Sequence, residues 1–423
     1  MKAASNPTFD YQQKLMALLT ALTFVGYSVY SFLAVALNLS EFDSRIITVP
    51  YRAVVLALSL FLFLSAYFRR ELGPWTRTHT VSSIVWLMYT ARLIFDTLYR
   101  NEPLSRPPWE FWAFALGVCF FSFIGLVRRF SDEAQRWAAW LVWGLAAAAC
   151  LLGLLTQSGQ VTMTEERVSG NQILNPISYG QTAVTLVLMA CYLALHARKT
   201  ATIVWLLAST LPGFYTIALA ASRSPLISLA LGMALLSIHG IKRGIGWKIA
   251  LGFLAVAIAL PIGVEYLLAT GSTLTNRLFE TYDAYRTGEV DRLVLWGITL
   301  EEFSRSPVWG AGIELSIGMH PHNLILEACL TMGFVGGGLF LWLMLDGIWS
   351  GIRLLSSAEA AWMPLVFMQF FTASLFSGNL WSSVELWAIV LLQAGAVAGH
   401  PANRFHGTTP LAAAPQRALR RGA

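Results

Sequence analysis

The chain has 423 residues, of which 56% are hydrophobic and only 12% charged, against roughly 25% charged in a soluble domain. Too few polar groups remain to cover a globular surface, so a set of soluble domains is excluded and lipid must act as part of the solvent. The formal net charge of +6 is scattered in short basic clusters between apolar runs, which marks membrane topology and excludes a nucleic-acid footprint.

The first apolar run, Leu15 to Leu37, is too long for the core of a cleavable leader and reads as a first membrane helix. Further runs long enough to cross a bilayer lie near 47–68, 79–99, 109–127, 137–155, 177–196, 201–221, 224–239 and 247–269. Three more follow near 323–345, 361–377 and 381–398. Continuous apolarity without a period of two selects helices over a barrel. The expected fold is therefore an all-α polytopic membrane protein with about twelve transmembrane helices. Nine of them fall in 1–269, a large loop occupies 270–322, three more helices fill 323–398, and 399–423 reads as a disordered cytoplasmic tail.

Charge alternates between the connecting loops. One set holds Arg69, Arg70 and Arg77, then Arg128, Arg129 and Arg136, then Lys242, Arg243 and Lys248. The opposite set is poor in basic residues, so the first set and both termini are expected in the cytoplasm. Trp109, Trp137, Trp247, Trp362 and Trp381 stand at span ends, where interface anchors belong. Cys119, Cys150, Cys191 and Cys329 all lie in apolar runs and read as small hydrophobes without disulfide or zinc spacing.

The 270–322 loop is polar, and within it Leu293, Trp296, Leu300 and Phe303 recur at helical spacing beside Glu301, Glu302 and Arg305. That pattern predicts an amphipathic helix, broken by Pro307 through Gly312. The same outer side collects ionisable residues: Arg223 in a break between two spans, Arg292 in the loop, and His320-Pro321-His322-Asn323 at the start of the tenth span. Arg92 lies inside the third span, four residues before Asp96. An arginine at membrane depth is expensive and is usually functional or paired. Simpler readings stand beside this one: an intrahelical pair for Arg92 and Asp96, a snorkeling Arg223, and close helix packing for Gly333 and Gly337. Glu265, Glu327 and Glu385 also require partners, and no metal shell is expected around His320 and His322.

Taken together, Arg292-Leu293-Val294-Leu295-Trp296, Pro307 with Gly310-Ala311-Gly312, His322-Asn323 through Glu327, and Gly333-Phe334-Val335-Gly336 resemble the O-antigen ligase/polymerase (WaaL/Wzy) signature. Ser222-Arg223 resembles that family's upstream Ser-Arg element, and the likeness covers roughly 210–340. The resemblance implies a GT-C-like glycosyltransferase of the bacterial inner membrane, acting on its periplasmic face. Its donor would be an undecaprenyl-diphosphate-linked glycan and its acceptor a lipid A–core oligosaccharide, with no cofactor, no metal and no nucleic-acid partner. Carried over to this chain, His322 is the catalytic base, and Arg223 and Arg292 hold the diphosphate. Arg92, His320, Asn323 and Glu327 are accessory candidates. His320 is an additional histidine beside the expected base, and Pro225 follows the Ser-Arg pair closely.

The chemistry suits these residue types. Diphosphate is already a good leaving group, so the need is for fixed cations that hold its growing charge, which guanidinium supplies bidentately. A sugar hydroxyl must lose a proton as it attacks, and neutral imidazole accepts one near neutral pH. The absence of an obvious nucleophilic carboxylate favours direct attack with inversion. Three alternatives stay open at this point: a repeat-unit polymerase, a transporter of lipid-linked sugars, and a metal-dependent oligosaccharyltransferase using Glu41 and Asp43.

Overall fold

The computed structural model describes residues 7–36, 44–100, 104–123, 130–156, 163–164, 167–168, 174–220, 222–245 and 292–399. The predicted ninth span with Glu265 and Trp247, the loop up to residue 291, the tail from 400, and Glu41 through Asp43 lie outside the described residues.

Apolar sequence with few prolines gives helix almost throughout. The chain begins with α1 (Pro7–Ala21), which passes through a π-helical turn, Leu22–Gly26, into α2 (Tyr27–Ala36). Then come α3 (Ser44–Phe68), α4 (Arg77–Ile94, prolonged by a π-helical turn to Arg100), α5 (Pro108–Phe123) and α6 (Asp132–Thr156). A two-rung antiparallel ladder, β1 (Met163–Thr164) with β2 (Arg167–Val168), precedes α7 (Pro176–His196). Next are α8 (Thr200–Ala208), α9 (Thr210–Ala220) and α10 (Arg223–Lys242). The last four are α11 (Arg292–Arg305), α12 (Leu324–Leu354), α13 (Trp362–Ser374) and α14 (Val384–Gly399).

Two helices form the centre. α7 is buried along nearly its whole length and packs on α6, α9, α10 and α13. α12 packs on α4, α11, α13 and α14. The outer helices turn apolar faces away from this centre, as Val54, Phe61 and Leu64 of α3 do. Such faces are stable against lipid and not against water.

Among the described residues, eight helical stretches are long and apolar enough to cross a membrane. This confirms a polytopic membrane protein; the expected ninth span lies outside the described residues. α13 reaches only 13 residues. The apolar run near 361–377 overstates its helix, because α13 stops at Ser374 before the turn-forming Ser377-Gly378-Asn379.

Two further expectations are corrected and one is made specific. Trp109 and Trp137 are exposed, but Trp362 and Trp381 are buried: Trp362 meets Phe24 edge-on at 6.3 Å, and Trp381 meets Phe111 at 5.5 Å. Position at a span end alone cannot tell an interface ring from one that closes the core. On α11 the buried residues are Leu295 and Thr299, whereas Leu293 and Leu300 are exposed. The helix rotates this way because Leu295 packs with Leu315 and Leu330, on the following loop and on α12. Gly333 is a break within α12 (φ +68°, ψ −170°), not part of a regular packing seam. A Cβ there would collide with the Val308 carbonyl, and the freed Phe334 N–H donates to the Pro307 carbonyl at 2.8 Å. The glycine thus lets the Pro307–Val308 backbone lie directly against α12.

Candidate functional site

Three segments build the polar centre at one end of the bundle. The first is the His320-Pro321-His322-Asn323 turn before α12. Asn323 caps that helix, its side-chain oxygen accepting from the N–H groups of Ile325 and Leu326 at 3.1 and 3.2 Å. His322, immediately before the cap, has φ +55°, in the left-handed region that costs a non-glycine residue about 1–3 kcal/mol. The two imidazoles go to different partners. His322 is under the influence of the Gly378 backbone and lies within reach of the Arg292 charge. His320 meets Glu314 at 3.3 Å, with Glu327 at 3.8 Å and the rings of Phe111 and Trp381 beside it.

These surroundings set the protonation of both rings. Burial, then the Arg292 charge, holds His322 below the ordinary imidazole range, and the Gly378 backbone opposes them in part. Burial pushes His320 down to about 4, with smaller contributions from His322 and Arg106.

The second segment is the start of α11. Arg292 opens the helix, and one turn later the Trp296 indole N–H donates to the Pro321 carbonyl at 3.1 Å. That bond ties α11 to the backbone between the two histidines and keeps Arg292 beside His322.

The third segment is Ser222-Arg223-Ser224-Pro225. Ser222 is extended (φ −117°, ψ 134°), and α10 starts at Arg223, which is half-buried. Pro225 falls in the first turn, where its missing N–H has no intrahelical partner to lose, so it does not disturb the helix. Its ring sits over Gly180, where an added Cβ would come within 2.7 Å of it. Gln181 donates to Ser224 and Ser228, at 3.2 Å each, and Gln369 donates to the Gln181 carbonyl at 2.8 Å. A polar wall therefore joins α7, α10 and α13.

Beside the Gln181 wall lies a pocket of about 290 Å³. Gly378, whose backbone influences His322, lines it, as does Gln181, the partner of Ser224. Arg52 of α3 and Glu385 of α14 line it too, and each acts electrostatically on the other. Glu385 thereby gains the partner that its buried charge requires.

The accessory candidates hold the frame. Arg92 is only 9% exposed, and its guanidinium donates to the carbonyls of Trp309 (3.2 Å), Gly310 (2.9 Å) and Ala311, with Asp96 at 2.9 Å. Asp96 in turn accepts the Ile313 N–H at 3.0 Å. The predicted Arg92–Asp96 pair is therefore present, and it clamps the stretch that follows α11. Glu327 is fully buried and accepts the Leu380 N–H on both oxygens, at 3.1 Å each. The structure thus sets His322 within reach of the Arg292 charge, brings Ser224, next to Arg223, onto the Gln181 wall, and puts Arg92 on the loop instead.

Four residues here carry no weight in the sequence reading: Arg52, Gln181, Glu314 and Gly378. Arg52 was legible in principle, being a cation inside an apolar run. Gln181 and Gly378 are ordinary residues until the fold supplies their partners.

Fold and site together define a polytopic membrane protein with a cationic, histidine-bearing centre at one end of its helices. Residues 208–341, about a third of the chain, match the family described as "O-Antigen ligase". A protein of Rickettsia felis named "Putative polysaccharide ligase" is 21% identical over 333 residues, covering 73% of this chain and 79% of its own length. The resemblance to the O-antigen ligase family is therefore shown, and these likenesses support a function of the O-antigen ligase or polymerase type. The matched stretch contains Arg223, Arg292, His320 and His322.

Proposed function

We propose that the protein is an O-antigen ligase. It takes a glycan from an undecaprenyl-diphosphate carrier and joins it to a hydroxyl of a lipid A–core oligosaccharide, at the periplasmic face of the inner membrane. The observation that carries this reading is the Trp296 bond to Pro321, which ties the start of α11, with Arg292, to the turn that carries His322.

In this mechanism Arg292 and Arg223 hold the diphosphate. Arg223 stands at the first turn of α10, whose free N–H groups and dipole also favour an anion. Arg52 supplies a third cation in the adjoining pocket, with Glu385 as its counter-ion when no donor is bound. The acceptor hydroxyl gives its proton to the imidazole of His322 while its oxygen attacks the anomeric carbon. The bond from that carbon to the diphosphate breaks, and its electron pair goes onto the leaving diphosphate. Each arginine acts where charge grows, so each is worth about 3–4 kcal/mol in the transition state. Attack from the face opposite the leaving group inverts the anomeric centre, and no metal is required.

The surface polysaccharide after gene deletion tests the reading. Loss of the ligase leaves bare lipid A–core with lipid-linked polymer accumulating. Core capped by single repeat units would instead assign the protein as the repeat-unit polymerase.

A further inference from the structure

A second and larger cavity, about 900 Å³, lies between the end of α4, the last turn of α11 and the loop up to Ser316. Its size falls within the range of about 300–1,000 Å³ typical of small-ligand pockets. None of the residues lining it lines the Gly378 pocket. Trp309 stands on it with 80% of its surface exposed. The backbone under that indole is immobilised: Arg92 takes the carbonyls of residues 309 to 311, and Arg100 also donates to Ala311 at 2.9 Å. The ring thus stands out from a fixed loop with its apolar face uncovered.

The other walls are mixed. Phe95 and Leu315 supply apolar surface, while Arg100, Arg305, Glu302 and Glu314 supply planar charged groups of both signs. An acyl chain would leave those four groups without water. A polyanion would meet two carboxylates. A sugar ring fits: its C–H face is weakly positive and packs on an indole, and its rim of hydroxyls can both donate to carboxylate and accept from guanidinium. Two of the carboxylates are already fixed for this, since Glu302 accepts from the Ser316 N–H and hydroxyl at 3.0 and 2.6 Å, and Glu314 accepts from the Ser105 N–H at 2.7 Å. Glu314 also meets His320, so the cavity abuts the turn that carries His322.

We infer that this cavity is a carbohydrate-binding cleft, with Trp309 as its stacking platform, that holds a sugar ring of one of the two glycan substrates beside the His320–His322 turn. The inference rests on the glycan-transfer reading above for the identity of those substrates. The cleft's sugar chemistry is common to acceptor and donor, and the test separates them.

The full-length protein in nanodiscs is titrated with two fluorescently end-labelled probes, and fluorescence anisotropy reports binding. One probe is oligosaccharide released by mild acid from lipid A–core; the other is released from the lipid-linked glycan. Trp309→Ala should weaken one probe by about tenfold or more, and Trp309→Phe should recover most of that loss. Loss confined to the core oligosaccharide assigns the cleft to the acceptor, and loss confined to the other probe assigns it to the donor. Unchanged affinity of Trp309→Ala for both probes, or no binding of either by the wild type, would overturn the cleft. A wild type that binds a probe in a Trp309-dependent way yet transfers no glycan would leave the cleft standing and remove the ligase reading.

Discussion

The buried carboxylate of Glu327 accepts the backbone N–H of Leu380 on both oxygens, at 3.1 Å each, two residues after the Gly378 whose backbone influences His322. His322 lies just before the Asn323 cap of α12, and Glu327 in the first turn of that helix fixes the segment that carries Gly378. His322 and the segment that carries Gly378 are thus both positioned by the first turn of one helix.

Glu327→Ala strands the Leu380 N–H in a buried site, which costs about 1–3 kcal/mol. Thermal unfolding in detergent should show the loss, and glycan transfer should fall while donor binding stays at the wild-type level. Glu327→Gln keeps an acceptor oxygen and should restore most of both. If transfer by Glu327→Ala equalled that of the wild type, the loop would not be orienting His322.

The arginines are expected to act on turnover. Arg223→Lys and Arg292→Lys keep the charge but lose the bidentate fork. Each should lower single-turnover transfer by about a hundred- to a thousand-fold, as removal of one preorganised donor does elsewhere. Quenched-flow transfer with donor in excess separates this from weaker binding. A change confined to donor affinity would mean that the arginines hold the ground state only.

The acid limb of the transfer rate reports His322. The base must be neutral, and burial with Arg292 lowers its pKa below the ordinary value. Activity should therefore persist below about pH 6.5 and fall only at lower pH. In Arg292→Gln one of the lowering influences is gone, so the limb of the residual activity should move toward higher pH. A shift toward lower pH would contradict the pairing.

Arg92→Met removes the clamp on residues 309–313 and leaves Asp96 buried without its closest cation. Breaking a buried pair in this way costs about 3–5 kcal/mol. The variant should melt well below the wild type, whereas Asp96 and Arg92 replaced together should lose less than the sum of the two single changes. Strict additivity would show that the two side chains act independently.

Much of this architecture was legible in the residues because its signals are local. Continuous apolar runs gave helices, and the spaced motifs around Arg223, Arg292 and His322 carried the family resemblance, which the match over 208–341 supports. Other features depend on contacts that no local pattern encodes. Which residues of α11 are buried within the protein depends on Leu315 and Leu330, distant in sequence. Gly333 reads as a packing residue until the chain of Pro307–Val308 is laid against it. Arg52 and Glu385 lie in helices far apart in the chain, and only the fold brings them to one pocket.

The central claim is that the imidazole of His322 removes the acceptor's proton. Single-turnover glycan transfer in proteoliposomes, from purified lipid-diphosphate donor to lipid A–core, measures it directly when wild type and His322→Ala are compared at matched protein levels. The account predicts a fall of about a hundred- to ten-thousand-fold with donor still bound. Transfer by His322→Ala at the wild-type rate would contradict it and return the transporter reading to consideration.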